Sequence, residues 1–170
     1  MTMPAIGTVA PAFQLTALDH KVYSLGEGIT TDLVLVMFFN TDCPTCQLTL
    51  PYIEKLYKTY KETGFKVWGV SQDDEAETTK FLTRHKASFP ILLDDELKMT
   101  VEYEVATVPT LFLVGKGREV LQSYTGFTKD DMNALAVQVA GHYKAEAVVI
   151  ADPYDGNPNW KPGCMGKWPF

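Results

Sequence analysis

The sequence predicts an α/β fold in which helices flank a mixed central sheet, with an N-terminal β-hairpin ahead of it and a Pro/Gly-rich C-terminal tail behind. Three observations predict this. Apolar extended runs first alternate with amphipathic helical patterns, as parallel strands joined by helical crossovers do. A tight hairpin and a last helix follow, which requires antiparallel strands in the same sheet. Beyond residue 143 prolines and glycines crowd into a segment with no periodicity.

Taken in order, Asp19 and His20 form a turn between extended stretches at 12–18 and 21–25, the opening hairpin. The apolar run 33–39 marks a buried strand extending to Asn40. In the following segment Cys46, Leu50, Ile53, Tyr57 and Tyr60 recur at steps of four and three, one face of a helix, with Pro51 inside it. Gly64 turns the chain into a strand at 65–71. Asp73 or Asp74 caps a helix to about residue 86, with Phe81, Leu82 and His85 inward. A short strand at 89–93 and a short helix at 96–103 come next. Strands at 110–114 and 118–124 flank the turn Gly115-Lys116-Gly117. Thr128 caps a last helix to about Tyr143, with Met132, Leu135, Ala136 and Val139 inward.

Residues 1–143 thus read as one domain. Residues 144–170 read as a tail whose Pro153, Pro158, Pro162, Pro169, Gly156, Gly163 and Gly166 preclude regular structure. Trp160, Trp168 and Phe170 are too apolar for a free tail, so the segment is expected to pack on the domain through them.

A chain of 170 residues suits one domain. With 15 Lys and Arg against 21 Asp and Glu, the net charge of −6 argues against nucleic acid and anionic membranes as partners. No apolar run approaches the ~20 residues of a membrane span. The first residues lack the basic start and apolar stretch of a secretion signal, which points to a cytoplasmic protein, or to a periplasmic or secreted one whose leader is absent. A monomer is expected, without a cofactor or metal. Three cysteines are too few for a disulfide scaffold, which leaves a close pair as catalytic or metal-binding.

That pair is Cys43-Pro44-Thr45-Cys46, at the junction of a strand and the helix that follows it. At a helix N-terminus free amides and the helix dipole favour an anion, so Cys43 can ionise near neutral pH. The thiolate is the form that attacks a disulfide. Pro44 suits the first helical turn, and Cys46 stands one turn on, able to reach back. Buried structural thiols and a pair of metal ligands are the other readings. A structural zinc site needs four ligands, and no second pair exists.

The segment 33–51, LVLVMFFNTDCPTCQLTLP, resembles the active-site segment of the thioredoxin-like superfamily, in the thiol–disulfide reductase and redoxin branch. The opening hairpin, Pro51, the run Phe89-Pro90-Ile91-Leu92-Leu93-Asp94 and the run 105–112, VATVPTLF, are similar to the same branch. The resemblance covers residues 5–143 and implies a thioredoxin-like fold and a thiol–disulfide oxidoreductase. It implies Cys43 and Cys46 as the catalytic pair. It also implies a cis bond before Pro109, with Val108, Pro109, Pro44 and Thr45 lining the groove for a disulfide-containing protein or small molecule. The ending Lys161-Pro162-Gly163-Cys164 resembles those of some redoxin-like proteins.

The chain departs from that pattern at three positions. Asp42 stands where the family has Trp, and its charge is expected to raise the Cys43 pKa to about 7–8. Met37 and Thr49 occupy the places of two proton-handling carboxylates. Cys43 is expected to be exposed and Cys46 buried. No histidine lies between the cysteines, which favours reduction over oxidation. Cys164 is expected to be an incidental thiol, dispensable for the exchange; the alternatives are a metal ligand or a third redox thiol, which should then lie near Cys43 or near a partner's surface. Two other functions stay open. A peroxiredoxin-like peroxidase would want Pro and Thr before its cysteine, where Val36 and Asn40 stand. A thioredoxin-like copper(I) chaperone would use both cysteines as soft ligands. The substrate and the electron donor are not legible.

Overall fold

The computed structural model describes residues 3–26 and 32–169. The chain opens with an antiparallel hairpin, β1 (Phe13–Thr16) and β2 (Val22–Leu25), turned at His20 with φ 65°. β3 (Val34–Phe39) is buried at every residue and runs up the centre of the sheet, leading into α1 (Pro44–Tyr60). After a single 3₁₀ turn, β4 (Lys66–Ser71) lies parallel to β3. α2 (Glu75–Arg84) crosses to β5 (Ile91–Leu93), which is parallel to β4. α3 (Lys98–Glu102) and β6 (Thr107–Val108) lead into β7 (Thr110–Val114), antiparallel to β3. β8 (Val120–Thr125) completes a five-stranded sheet in the order β5-β4-β3-β7-β8. β9 (Phe127–Thr128) and α4 (Lys129–Tyr143) follow.

The elements expected from the sequence are present, their ends within about two residues of the expected bounds. Asp74 caps α2, accepting from the Glu77 amide at 2.9 Å, and Thr128 caps α4, accepting from the Asp131 amide at 2.9 Å. The inner side of α2 differs from the expectation: Thr78 and Phe81 are buried, and Thr78 meets Ser71 at 2.7 Å. Leu82 and His85 are only half-buried, and His85 stacks on Phe81 at 4.7 Å. On the hairpin side of the sheet the core centres on Tyr103, whose ring meets Phe38 and Phe112 at 5.3 Å each. Its hydroxyl donates to the Pro11 carbonyl at 2.5 Å. Gly69 on β4 is forced by packing, since a Cβ there would stand 2.7 Å from Ile91 Cδ1.

α1 is covered on a wider arc than the single face expected. Thr45, Thr49, Tyr52 and Leu56 are buried as well as Cys46, Leu50, Ile53 and Tyr60, as α4 packs on α1 and the C-terminal segment bonds to Thr45 and Tyr52. Two other expectations about that segment fail. It contains regular structure: β10 (Trp160–Lys161) pairs antiparallel with β9, and β11 (Cys164–Met165) pairs antiparallel with β6. The prolines fall outside both pairs of residues, whose amides stay free for two-residue strands. Nor do the tryptophans hold it, since Trp160 is 64% and Trp168 39% exposed; Phe170 lies outside the described residues.

What holds the segment is polar. Asn133 on α4 accepts from the amides of Ile150 and Ala151 at 2.9 Å each and donates to the Ala151 carbonyl at 3.0 Å. The buried Lys129 ammonium meets Asp155 at 2.7 Å and the Asp152 carbonyl at 2.9 Å. Tyr52 on α1 donates to Asp155 and accepts from Asn157. Ile150 and Ala151 fill the apolar gap between them.

Candidate functional site

Cys43 is the N-cap of α1. Its backbone is extended (φ −97°, ψ 107°), and its sulfur accepts the Cys46 amide at 3.0 Å, in the role a Ser or Asp oxygen plays at other caps. β3 ends at Phe39, so a fully buried strand delivers this cysteine to the helix N-terminus on a rigid support. Pro44 occupies the first helical turn, and no acidic residue stands there. The Val108–Pro109 bond is cis, as the resemblance implies, and the Val108 carbonyl lies 3.5 Å from Cys43 Sγ, where the protonated thiol donates to it. Pro109 and Thr45 are buried, and Pro44 is exposed at the rim.

The Cys43 thiol is lowered to about 6. The first cause is the hydrogen bond donated by the Cys46 thiol; burial opposes it, and the Cys164 thiol and the amides of Cys46 and Thr45 add to it. Burial pushes the Cys46 thiol far above its ordinary range, and the neighbouring Cys43 sulfur pushes it further. The pair therefore holds one anion and one proton at neutral pH. All three cysteines are free thiols.

Two expectations are corrected here. Asp42 does not set the Cys43 ionisation: its carboxylate is 84% exposed and lies 3.8 Å from the Lys167 ammonium, which offsets it. Donors in direct contact with the sulfur outweigh a screened surface charge. And Cys43 is not exposed. Cys43 and Cys46 are both fully buried, because β11 lies over Cys43.

The residues that sequence reasoning missed belong to this cover. Thr45 Oγ1 donates to the Pro162 carbonyl at 2.6 Å. The Gly166 amide donates to the Ala106 carbonyl at 2.8 Å, and the Lys167 amide to Gln72 Oε1 at 2.9 Å. The Lys167 ammonium pairs with Asp73, a buried carboxylate that also accepts the Thr41 amide at 2.7 Å. Asp73 thus ties the loop before Cys43 to the tail, while its neighbour Asp74 does the capping. The signal available in the sequence was spacing: Gly163 and Gly166 bracket Cys164, and only glycine fits either place. A Cβ on Gly163 would lie 2.4 Å from Thr107 Cγ2, and one on Gly166 2.9 Å from the Val105 carbonyl. Cys164 stands opposite Val108 in the strand register, with its thiol within hydrogen-bonding reach of Cys43 and Thr45. It thus lies near Cys43, one of the two places expected of a third redox thiol.

Met37 and Thr49 are buried, and the Thr49 hydroxyl donates to the Thr45 carbonyl at 2.7 Å. Among the described residues no group of three or more His, Cys, Asp or Glu side chains could hold a metal ion. No described helix is long and apolar enough to cross a membrane.

A strand-to-helix cysteine pair beside a cis-proline, on a sheet of this order with an N-terminal hairpin, defines a thioredoxin-like dithiol protein. The chain belongs to the AhpC/TSA family, which matches residues 6–123. It is 34% identical over 137 residues to the thiol-disulfide oxidoreductase ResA of Geobacillus kaustophilus, an alignment covering 77% of this chain and 76% of that one. A thiol:disulfide interchange protein from Bacteroides sp. superposes with a TM-score of 0.70 at 29% identity, covering 81% of this chain and 92% of the other. The thioredoxin domain of a thiol-disulfide oxidoreductase from Bacteroides vulgatus gives 0.70 at 28% identity, covering 79% and 96%. The protein is a thiol-disulfide oxidoreductase with a thioredoxin-like fold, and disulfide-containing molecules are its substrates. These relatives favour neither the peroxidase nor the copper chaperone.

Proposed function

We propose that the protein reduces disulfides by dithiol exchange, with Cys43 as the nucleophile and Cys46 as a resolving thiol. The observation that carries this reading is the asymmetry of the pair: Cys43 is lowered to about 6, whereas Cys46 is held protonated by burial. At pH 7 a thiol of pKa 6 is about 90% ionised, against roughly 3% for an unperturbed one. The Cys43 thiolate attacks one sulfur of the substrate, forming a mixed disulfide and releasing the first thiol. Cys46 then attacks the Cys43 sulfur, closing the Cys43–Cys46 disulfide and releasing the second.

The substrate chain would align along Thr107–Val108, the strand edge beside Pro109, with Pro44 and Thr45 as the opposite wall. Its class, protein or small molecule, follows from how far that edge opens. Reduction is favoured in a reducing compartment such as the cytoplasm, where a dithiol of this kind rests reduced. An external electron donor regenerates the pair, and the active unit is a monomer. Insulin reduction with dithiothreitol as donor tests the assignment. Cys43→Ser should abolish turnover with the fold intact by circular dichroism; residual activity near that of the unmodified chain would refute it.

A further inference from the structure

The C-terminal segment occupies the strand edge that a substrate needs. β11 pairs with Thr107–Val108 in antiparallel register, and Cys164 stands at the position of that strand next to Cys43. The fit is built rather than incidental. Gly163 and Gly166 allow backbone-to-backbone contact that any side chain would block, and Gly126, with φ 77°, has the Gly163 nitrogen 3.1 Å from where its own Cβ would be. Thr45, inside the Cys43–Cys46 motif, spends its hydroxyl on the Pro162 carbonyl. Asn40 and Gln72, both buried, aim their amides at the backbone of Met165 and Lys167.

We propose that Cys164 is a third redox thiol of this site, carried on a built-in substrate strand: it attacks the mixed disulfide on Cys43, forms a transient Cys43–Cys164 disulfide and expels the reduced substrate. This rests on Cys43 being the nucleophile. The first step needs the strand lifted, since Cys43 is otherwise fully buried. With the edge free, the Cys43 thiolate attacks a disulfide R–S–S–R′, releasing R′S⁻, which takes up a proton. When the strand returns, Cys164 gives up its proton and its sulfur attacks Cys43, breaking the Cys43–S–R bond. The electron pair of that bond leaves on RS⁻, which takes up the proton. Cys46 then attacks Cys43 in turn, leaving the Cys43–Cys46 disulfide and returning Cys164 to the thiol. The sum is one substrate disulfide reduced and one protein dithiol oxidised.

The arrangement supplies a solvent-accessible thiol at the step that releases the substrate. Cys46 is fully buried, whereas Cys164 is only half-buried and meets solvent. Because strand and substrate compete for one edge, the return that delivers Cys164 also displaces the product.

The test uses Cys46→Ser with oxidised glutathione, followed by non-reducing peptide mapping. The expected product is a disulfide linking the peptides of Cys43 and Cys164 with glutathione released. Cys46→Ser/Cys164→Ser should instead accumulate glutathione on Cys43. A stable Cys43–glutathione adduct in the single variant, with Cys164 free, overturns the proposal and leaves the nucleophile assignment standing. Failure to modify Cys43 at all, or glutathione on Cys164 with Cys43 free, overturns both. Gly163→Val in the Cys46→Ser background dislodges the strand without touching a thiol. The internal disulfide should then form at least about tenfold more slowly, and an unchanged rate would show that the docked strand does not deliver Cys164.

Discussion

Replacing Cys46 with Ala removes the first cause of the low Cys43 pKa, the thiol hydrogen bond, and leaves the backbone donors in place. A hydrogen bond to a charged group contributes about 1.5–3 kcal/mol, and one pKa unit corresponds to 1.36 kcal/mol, so the loss should raise Cys43 by about 1–2 units. The sign is fixed: a donor lost to the thiolate disfavours the anion, and the pKa rises from about 6 towards 7–8. The Cys46 amide at 3.0 Å and the helix N-terminus keep it below an ordinary thiol. The assay is the pH dependence of iodoacetamide alkylation, with Cys164→Ser in both proteins so that Cys43 alone accounts for the difference. At pH 6 the rate should fall by about five- to fiftyfold, the range the smaller thiolate fraction gives, and at pH 9 the two proteins should converge. An unchanged or lower midpoint in the Cys46→Ala protein would refute the hydrogen-bond origin of the thiolate.

Asp42→Asn should move the Cys43 midpoint by less than about half a unit, because an exposed carboxylate facing Lys167 is screened; alkylation against pH checks it. Thr45→Val deletes the bond to Pro162, worth about 1 kcal/mol, and should speed alkylation of Cys43 by roughly fivefold as the strand lifts more often. Asn133→Ala strips three hydrogen bonds from the segment at 150–151 and should cost about 2 kcal/mol in urea denaturation, with earlier proteolysis of the tail. In Cys164→Ser, the single-turnover rate at which Cys46 resolves a mixed disulfide should be flat from about pH 6 to pH 8. A sigmoidal rise in that window would reveal a titrating base.

The framework was legible because its signals are local. The apolar run at 33–39, the caps Asp74 and Thr128 and the Gly-Lys-Gly turn each constrain their own neighbourhood, and the motif at 43–46 marks the strand–helix junction without help from the rest of the chain. What could not be read was pairing at long sequence separation. Nothing in Cys164-Met165 states that it will find Thr107–Val108, some 56 positions back, and the short strands carry no period. Three of the wrong expectations follow from that single omission. Without the tail in place Cys43 looks exposed, Asp42 looks like its nearest charge, and α1 needs only one buried face. The tryptophans misled for a related reason: apolar side chains suggest burial, yet this tail is held by backbone bonds and by Lys129, Asn133 and Asp155.

The remaining chemical question is where the Cys46 proton goes. In the resting site that proton lies in the hydrogen bond to the Cys43 sulfur. Once Cys43 is bound in a mixed disulfide its charge is gone, and with it the acceptor. Thr49 offers nothing, since its hydroxyl is already committed to the Thr45 carbonyl at 2.7 Å. Burial makes a free Cys46 thiolate costly, so ionisation ahead of attack is closed. The base that appears at the right moment is the departing thiolate, created as Cys46 attacks and lying on the far side of the same sulfur: Cys164 when the strand has resolved the substrate, the substrate itself in Cys164→Ser. Proton and electron pair then leave together, and no side chain has to titrate. A site of this kind does not need the carboxylates replaced by Met37 and Thr49, provided that water stays out while the bond changes hands. Once the strand has returned and Cys164 stands on Cys43, the buried pair beneath it meets that condition.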